Sequence, residues 1–376
     1  MNSLISPPAL GLMFILSIGL AVVAQAAPDR LQRPSPLSAS ASRAALTAIQ
    51  TLPDRQVMVG DSGHILLLGA DGRVEQARVP VDLLLTAVHF VDGQMGWAVG
   101  HDGVILHSAD GGNSWKKQFD GNQINVLLND WAGHEVEHLV QEAAAHPQDQ
   151  ALSLALENAR FAVDDAKAAS AGGASRPLLD VWFRDASHGW VVGSYGMLLS
   201  TADGGHAWQY RSDLDNPDRL HLNTVLGLVD GTLLVAGEGG RIYRSVDNGE
   251  HWQAPLTLGP ASFYKLLALN NGHVLAMGFG GALFASRDAG ATWQVLATPV
   301  KAALYGGRQL ADGSVLLAGQ GGVVLYSDDG EHFRLWRSPS RLPLLGIGQI
   351  SAAQVALIGS AGLKIQSLAQ LKEQLQ

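Results

Sequence analysis

Along the chain, short apolar runs end in Gly-x-x-Gly, pass into an alternating strand, and close on Ser/Thr-x-Asp-x-Gly-x-x-Trp. Trp97-Ala-Val-Gly100 leads to Ser108-Ala-Asp110-Gly-Gly112-Asn-Ser-Trp115, and Trp190-Val-Val-Gly193 to Thr201-Ala-Asp203-Gly-Gly205-His-Ala-Trp208. Leu234-Val-Ala-Gly237 leads to Asp247 and Trp252, and Leu275-Ala-Met-Gly278 to Asp288 and Trp293. A fifth copy runs from Gly319 to Asp329, with Phe333 in place of Trp and a turn one residue shorter. Degenerate copies flank these at Gly60 and Gly359. The interval is about 40 residues throughout, except between Gly100 and Gly193, where roughly 50 extra residues intervene.

Each unit reads as four short antiparallel strands. In the second, residues 84–90, 96–99, 104–107 and 115–119 would form them. The Gly-x-x-Gly segment fits a tight hairpin in which Gly supplies positive φ. The Asp of the following turn can accept backbone N–H groups, and the Trp can cover the turn's apolar side, so these boxes read as folding devices. Four short strands cannot bury a face alone, but seven such sheets around an axis can. The predicted fold is therefore all-β: a seven-bladed β-propeller of four-stranded antiparallel blades, spanning 27–376, with an α-helical hairpin at 121–176 inserted between blades 2 and 3. The last unit runs out near Lys364-Ile365-Gln366, so the segment 27–37 is expected to donate its fourth strand, although Pro28, Pro34 and Pro36 make that segment a poor one.

Antiparallel connectivity puts the glycine hairpins on one face and the Asp boxes on the other. The middle residues of the hairpins differ from unit to unit, and chemically varied loops on a repeated scaffold are where a site would be grafted. His101, Asp102, Tyr195, Glu238 and Phe279 are the candidate binding residues. The insertion would rise from the same face. Val136, Leu139, Val140, Ala143 and Ala144 form one helical stripe, and Leu152, Leu156, Ala159, Val163 and Ala166 a second. Pro147 separates them, Asp149 can cap the second helix, and Gly172-Gly173 would end it. Within the first lies His134-Glu-Val-Glu-His138, whose i, i+4 imidazoles could bind zinc with Glu135 as a base. No third ligand stands at a distinctive spacing, so the pair is a weak metal candidate, and neither a metal nor a cofactor is expected.

Ala9 to Val23 is an apolar run too short for a comfortable membrane span, followed by Ala24-Gln25-Ala26, so residues 1–26 read as a signal peptide cleaved before Ala27. The sequence has no Cys, which removes disulfides, thiolate sites and a lipid-modified Cys. A formal net charge of −9 speaks against a nucleic-acid partner.

The Ser-x-Asp-x-Gly-x-x-Trp boxes resemble the Asp-box (BNR) repeats of sialidases and related propellers. The fuller unit, with Gly96-Trp-Ala-Val-Gly100 and Gly189-Trp-Val-Val-Gly193, resembles the photosystem II stability/assembly factor family. What that resemblance implies is a non-enzymatic, periplasmic platform that binds a membrane protein complex, with an RND/MMPL-type exporter as one expected partner. The alternative is a glycan-binding or sialidase-like propeller, for which Arg55, Arg184, Arg241, Arg308 and Arg341 would have to cluster.

Overall fold

A computed structural model describes residues 29–376, so the expected signal peptide lies outside the described residues. Period-2 alternation and the glycine turns produce seven antiparallel sheets in chain order, six of four strands and one, the seventh, of three. In the second sheet the strands are Leu85–Phe90, Gly96–Gly100, Ile105–Ser108 and Lys116–Phe119, paired one after the next. The first strand of each sheet packs on the first strand of the next, and that of the seventh returns to Leu46–Thr51 of the first, so the ring is closed. These seven strands line a central channel. The second strands, such as Val274–Gly278 and Val315–Gly319, are buried along their whole length. Both their faces meet neighbouring sheets, which is why they read as unbroken apolar runs rather than alternating ones.

Closure is not made by 27–37 acting as a strand. The described part of that segment lies against the first two sheets: Ser35 N donates to Val79 O (3.0 Å), and Leu31 is buried with Val79, Val81 and Trp115. Arg30 and Arg33 meet Asp82 there. Pro34 and Pro36 offer no N–H to a ladder, so irregular chain is the outcome. The seventh sheet instead ends on Gly362–Ser367, which runs into α3 (Leu368–Glu373). Leu371 is fully buried among Leu316, Tyr326 and Trp336, and Gln376 exchanges two backbone hydrogen bonds with Leu335 of the sixth sheet. The ring is tied across the seam by Gln56 Nε2 donating to Gln349 O (2.8 Å) and Gln349 N to Thr51 Oγ1 (3.2 Å).

The Asp boxes make the same set of bonds from sheet to sheet. Asp110 Oδ1 accepts Ser114 N (2.9 Å), Ser108 Oγ accepts Gly112 N (3.0 Å), and Trp115, 5% exposed, donates Nε1–H to Gly112 O (2.9 Å). Asp203, Asp247 and Asp288 repeat the bond with Ala207, His251 and Thr292. Trp208 is buried, whereas Trp252 and Trp293 stay half-buried. The backbone N–H of His251 holds the Asp247 carboxyl well below the usual carboxylate range.

After Phe119 the chain leaves the second sheet and forms α1 (Gly121–Ala145) and α2 (Gln150–Ala171) before entering the third at Leu178. Helix α1 begins well before the apolar stripe at 136–144. Asp120 and Gln123 make a reciprocal capping box, and Ile124, Leu128 and Ala132 carry the buried face down to Leu139. Val140 is exposed instead. Asp149 caps α2 through Ala151 N and Leu152 N, and Gly172 ends it. Among the described residues, no helix is long and apolar enough to cross a membrane.

Candidate functional site

The glycine hairpins form one repeated turn, and their glycines do two different jobs. In the second sheet, Gly100 is extended at φ −172, yet a Cβ there would sit 2.3 Å from Leu84 O. Closeness is its reason, and His101 N donates to that same carbonyl (2.9 Å). Positive φ falls on the next two positions, Asp102 (φ 54) and Gly103 (φ 68), a type I′ turn closed by Val104 N to His101 O. Asp102 and Tyr195 (φ 57) are therefore L-residues held in the left-handed region.

The five candidate residues separate into groups. The turn carrying His101 and Asp102 lies beneath the start of α1, where Asp102 O abuts Gly121, and burial pushes the Asp102 carboxyl up. Tyr195 and Glu238 meet through a residue the repeat does not flag, His221. Its ring is 5.1 Å from that of Tyr195, its Nδ1 is 3.3 Å from Glu238 Oε1, and its N–H donates to Glu238 Oε2 (2.8 Å). Phe279 stands apart, 62% exposed.

Around Tyr195 the helical hairpin and the third sheet enclose a cleft. Trp131 of α1 stands edge-on to Tyr210, ring centroids 5.1 Å apart. Arg176, on the segment that returns from α2, lies over the Tyr195 ring at 5.6 Å. Arg219, at φ 49 in the loop before the fourth sheet, donates to Asp165 of α2 (2.7 Å). That loop is pinned by Asn216, whose side chain bonds both the N–H and the carbonyl of Leu220. One cavity of about 290 Å³ lies against Trp131, Tyr195, Tyr210 and Arg219, and a narrower one of about 50 Å³ reaches Arg176. Burial, with the Arg219 cation beside it, holds the Arg176 guanidinium below its ordinary range, and burial pushes the Tyr210 phenol up. Among the described residues Arg176 has neither an ion pair nor a hydrogen-bond acceptor.

The channel is a further concave feature, at about 150 Å³. Several of its polar groups pair with one another. Asp180 accepts Lys265 Nζ (2.7 Å), Thr224 Oγ1 (2.7 Å) and Val225 N (3.2 Å), while Thr86 and Asn223 donate to neighbouring inner strands. The channel's acid is thus spent on a lysine of the same ring, whereas Arg176 in the cleft has no ion pair among the described residues.

Sequence reasoning passed over Trp131, Arg176, Tyr210, Arg219 and His221. Trp131 sits off both expected stripes, and a large aromatic outside a helix's apolar stripe was the available signal. The His-Glu-x-x-His pair is on α1, with His134 and His138 exposed, and no group of three or more His, Cys, Asp or Glu close enough for a metal occurs among the described residues. Of the arginines that a sialidase-like site would gather, three have separate partners, Arg55 with Asp54, Arg184 with Asp185 and Arg241 with Asp218, while Arg308 and Arg341 form no ion pair among the described residues.

Fold and repeat define a β-propeller of Asp-box sheets. Residues 171–341 match the family described as photosynthesis system II assembly factor YCF48. A curated relative, the photosystem II assembly lipoprotein Ycf48 of Synechococcus sp. (strain CC9902), is 41% identical over 75 residues, which is 20% of this chain and 22% of that protein; the match thus spans about a fifth of the relative's length. Two solved structures share the fold at 16% identity. YCF48 bound to D1 peptide has a TM-score of 0.56 over 86% of this chain and 93% of the other; YCF48 from Cyanidioschyzon merolae has 0.58 over 90% and 99%. The chain is thus a β-propeller of BNR-type repeats that is similar to the Ycf48 family over residues 171–341.

Proposed function

We propose that this protein is a non-enzymatic binding and assembly factor for a membrane protein complex, acting from the face that carries the glycine hairpins and the helical insertion. The observation that carries the reading is the cleft on that face: the Arg176 guanidinium over the Tyr195 ring with Trp131 and Tyr210 beside it, a combination of side chains that is enriched where proteins bind proteins. The likeness to Ycf48 supports it, since one such protein is bound to a D1 peptide. Location in the periplasm, with residues 1–26 removed before Ala27, belongs to the same proposal, as does an RND/MMPL-type exporter as the class of partner. His101, Asp102, Tyr195, Glu238 and Phe279 are the contact residues it assigns, with 121–176 as a docking arm.

Crosslinking and affinity capture from membranes of the source cell tests it, using the whole protein and a variant lacking 121–176. The expected result is a membrane protein captured by the former and lost by the latter. Capture unchanged by the deletion removes the arm from the proposal. Capture of no membrane protein by the intact chain overturns the assembly role.

A further inference from the structure

Six sheets have a fourth strand outside their third, and the seventh has none. Its outer strand, Gly362–Ser367, pairs only with Gln354–Gly359. That register closes on Gly359 opposite Gly362, and beyond its far end Leu368 N donates to Ala353 O (2.9 Å). Alternate residues therefore face the ladder, and the N–H and C=O groups of Leu363 and Ile365 point away from it. Among the described residues no backbone group bonds them, since α3 turns to the sixth sheet instead. The neighbouring sheets keep their fourth strands, Val74–Gln76 and Arg334–Arg337, so this bare edge lies in a slot about 4.8 Å deep, one strand spacing.

The slot has two unlike walls. Leu363 and Ile365 stand opposite Ile358 and Ala356, which pack with Leu66 and Leu68, so their side chains turn towards the first sheet. Val74 stands opposite Leu68 and faces them. Ile365 is 42% exposed and Val74 40%. Leu37 adds to this wall at 73%, on a stretch where Pro36 O and Ser38 N both bond the side chain of Gln76. The other wall is polar. Lys364 turns towards the sixth sheet, with Nζ 5.5 Å from the centre of the Trp336 ring, and has no ion pair among the described residues. Of the acids on that side, Asp328 holds Arg334 and Asp312 holds Lys372, while Glu373 is exposed at the end of α3.

We infer that the slot takes an extended strand of another protein, which adds antiparallel to Gly362–Ser367 as the fourth strand of the seventh sheet. Its alternate residues are apolar, against Ile365 and Val74, and acidic, towards Lys364. The direction follows the other six sheets, whose outer strands are all antiparallel. The ladder supplies affinity and the two walls supply preference, as in other cases of strand addition. A second copy of this chain cannot pair edge to edge, because each edge is recessed behind its own flanking strands. Residues 29–37 are committed elsewhere, with Leu31 in the core of the first two sheets and Arg33 on Asp82. The slot shares no residue with the cleft, so it goes beyond the reading above and stands or falls without it.

Fluorescence anisotropy with the full chain tests it. The probe is a labelled heptapeptide, Thr-Val-Glu-Val-Glu-Val-Thr, capped at both ends. Antiparallel pairing puts the Val residues on the side of Ile365 with their N–H groups on the edge, and turns the Glu N–H groups outward. N-methylation of the Val residues is therefore expected to weaken binding about tenfold or more, and N-methylation of the Glu residues to leave it within about twofold. Val74→Asp is expected to weaken the peptide, and Lys364→Glu to shift preference to a peptide with Lys in place of Glu. Tm of each variant separates lost binding from lost fold. No binding, a loss from methylated Glu equal to or greater than that from methylated Val, or an unaltered preference in Lys364→Glu each overturns the inference. Two further outcomes also overturn it. Binding seen only after removal of residues 1–28 assigns the edge to this chain's own N-terminal segment. A dimer that the peptide splits, read by light scattering, assigns it to a second copy.

Discussion

Asp180 in the third sheet holds the ammonium of Lys265, in the fifth, at 2.7 Å, and so joins sheets that are not neighbours in the ring. Thr224 and Val225 of the intervening fourth sheet donate to the same oxygen, Oδ2. One carboxylate oxygen thus couples three blades from inside the channel. Asp180→Ala would leave a hydroxyl and an ammonium without their acceptor, and a loss of about 2 kcal/mol is expected. The double variant with Lys265→Ala is expected to lose less than the sum of the single losses, because the stranded cation is gone. Urea midpoints of the four proteins check this; strict additivity would mean that the pair is not coupled.

Trp115 is 5% exposed and packs edge-on against Phe90, with ring centroids 5.7 Å apart. Trp293 serves the same turn in the fifth sheet but remains half-buried. Trp115→Ala is expected to cost about 3–5 kcal/mol and Trp293→Ala clearly less, since the cost follows the area and the cavity created. Thermal unfolding of the two variants tests the order; equal losses would contradict it.

Hairpin glycines can be tested against each other. Gly100→Ala puts a methyl group 2.3 Å from Leu84 O with a permissive φ, so crowding alone should destabilise by about 1–3 kcal/mol. Asp102→Gly relieves a φ of 54 and is expected to be neutral or stabilising by about 0.5 kcal/mol. Differential scanning calorimetry should shift Tm in opposite directions. A fall in both would mean that the Asp102 side chain contributes more than its backbone costs.

His89 lies between the first strands of the second and third sheets, its Nε2 bonded to Phe183 O at 3.0 Å and its ring beside Trp182. Burial brings its pKa down from 6.5 to about 4. Between those values the unfolded chain binds the proton and the folded one does not, so stability is full above pH 6.5 and declines as pH falls towards 4. The decline from this group is on the order of 2 kcal/mol. In His89→Gln, which can still donate to Phe183 O, the difference in urea midpoint between pH 7.5 and 4.5 is expected to shrink. An unchanged difference would place the acid sensitivity elsewhere.

Repetition made the architecture readable. Each unit carries its own turn chemistry: a serine or threonine and an aspartate two residues apart, then a glycine, then a tryptophan. These bonds close within four residues of one another, as Ser108, Asp110 and Ser114 do. Local sequence therefore fixed the blades, their number, the hairpins and the helical hairpin. Positive φ does fall on the second glycine of the turn, Gly103 at φ 68, but Gly100 is required by a carbonyl that folding brings up from Leu84 rather than by its own φ. Local sequence misjudged the seam: the seventh sheet keeps three strands, and the chain beyond it packs α3 on the sixth sheet, where Gln376 bonds Leu335.

The cleft was beyond the sequence for a plainer reason. Trp131, Arg176, Tyr195 and Arg219 lie on four separate segments, and no spacing relates them. Arg176 and Arg219 look like ordinary surface arginines until the fold places them near each other, with Asp165 of the helix paired to Arg219 of the loop. Alternation of apolar and polar residues is a short-range property, and it specifies sheets and turns that are built from neighbours in sequence. Which charges go unpaired is a property of distance in space, and only the closed ring with its inserted helices sets that distance.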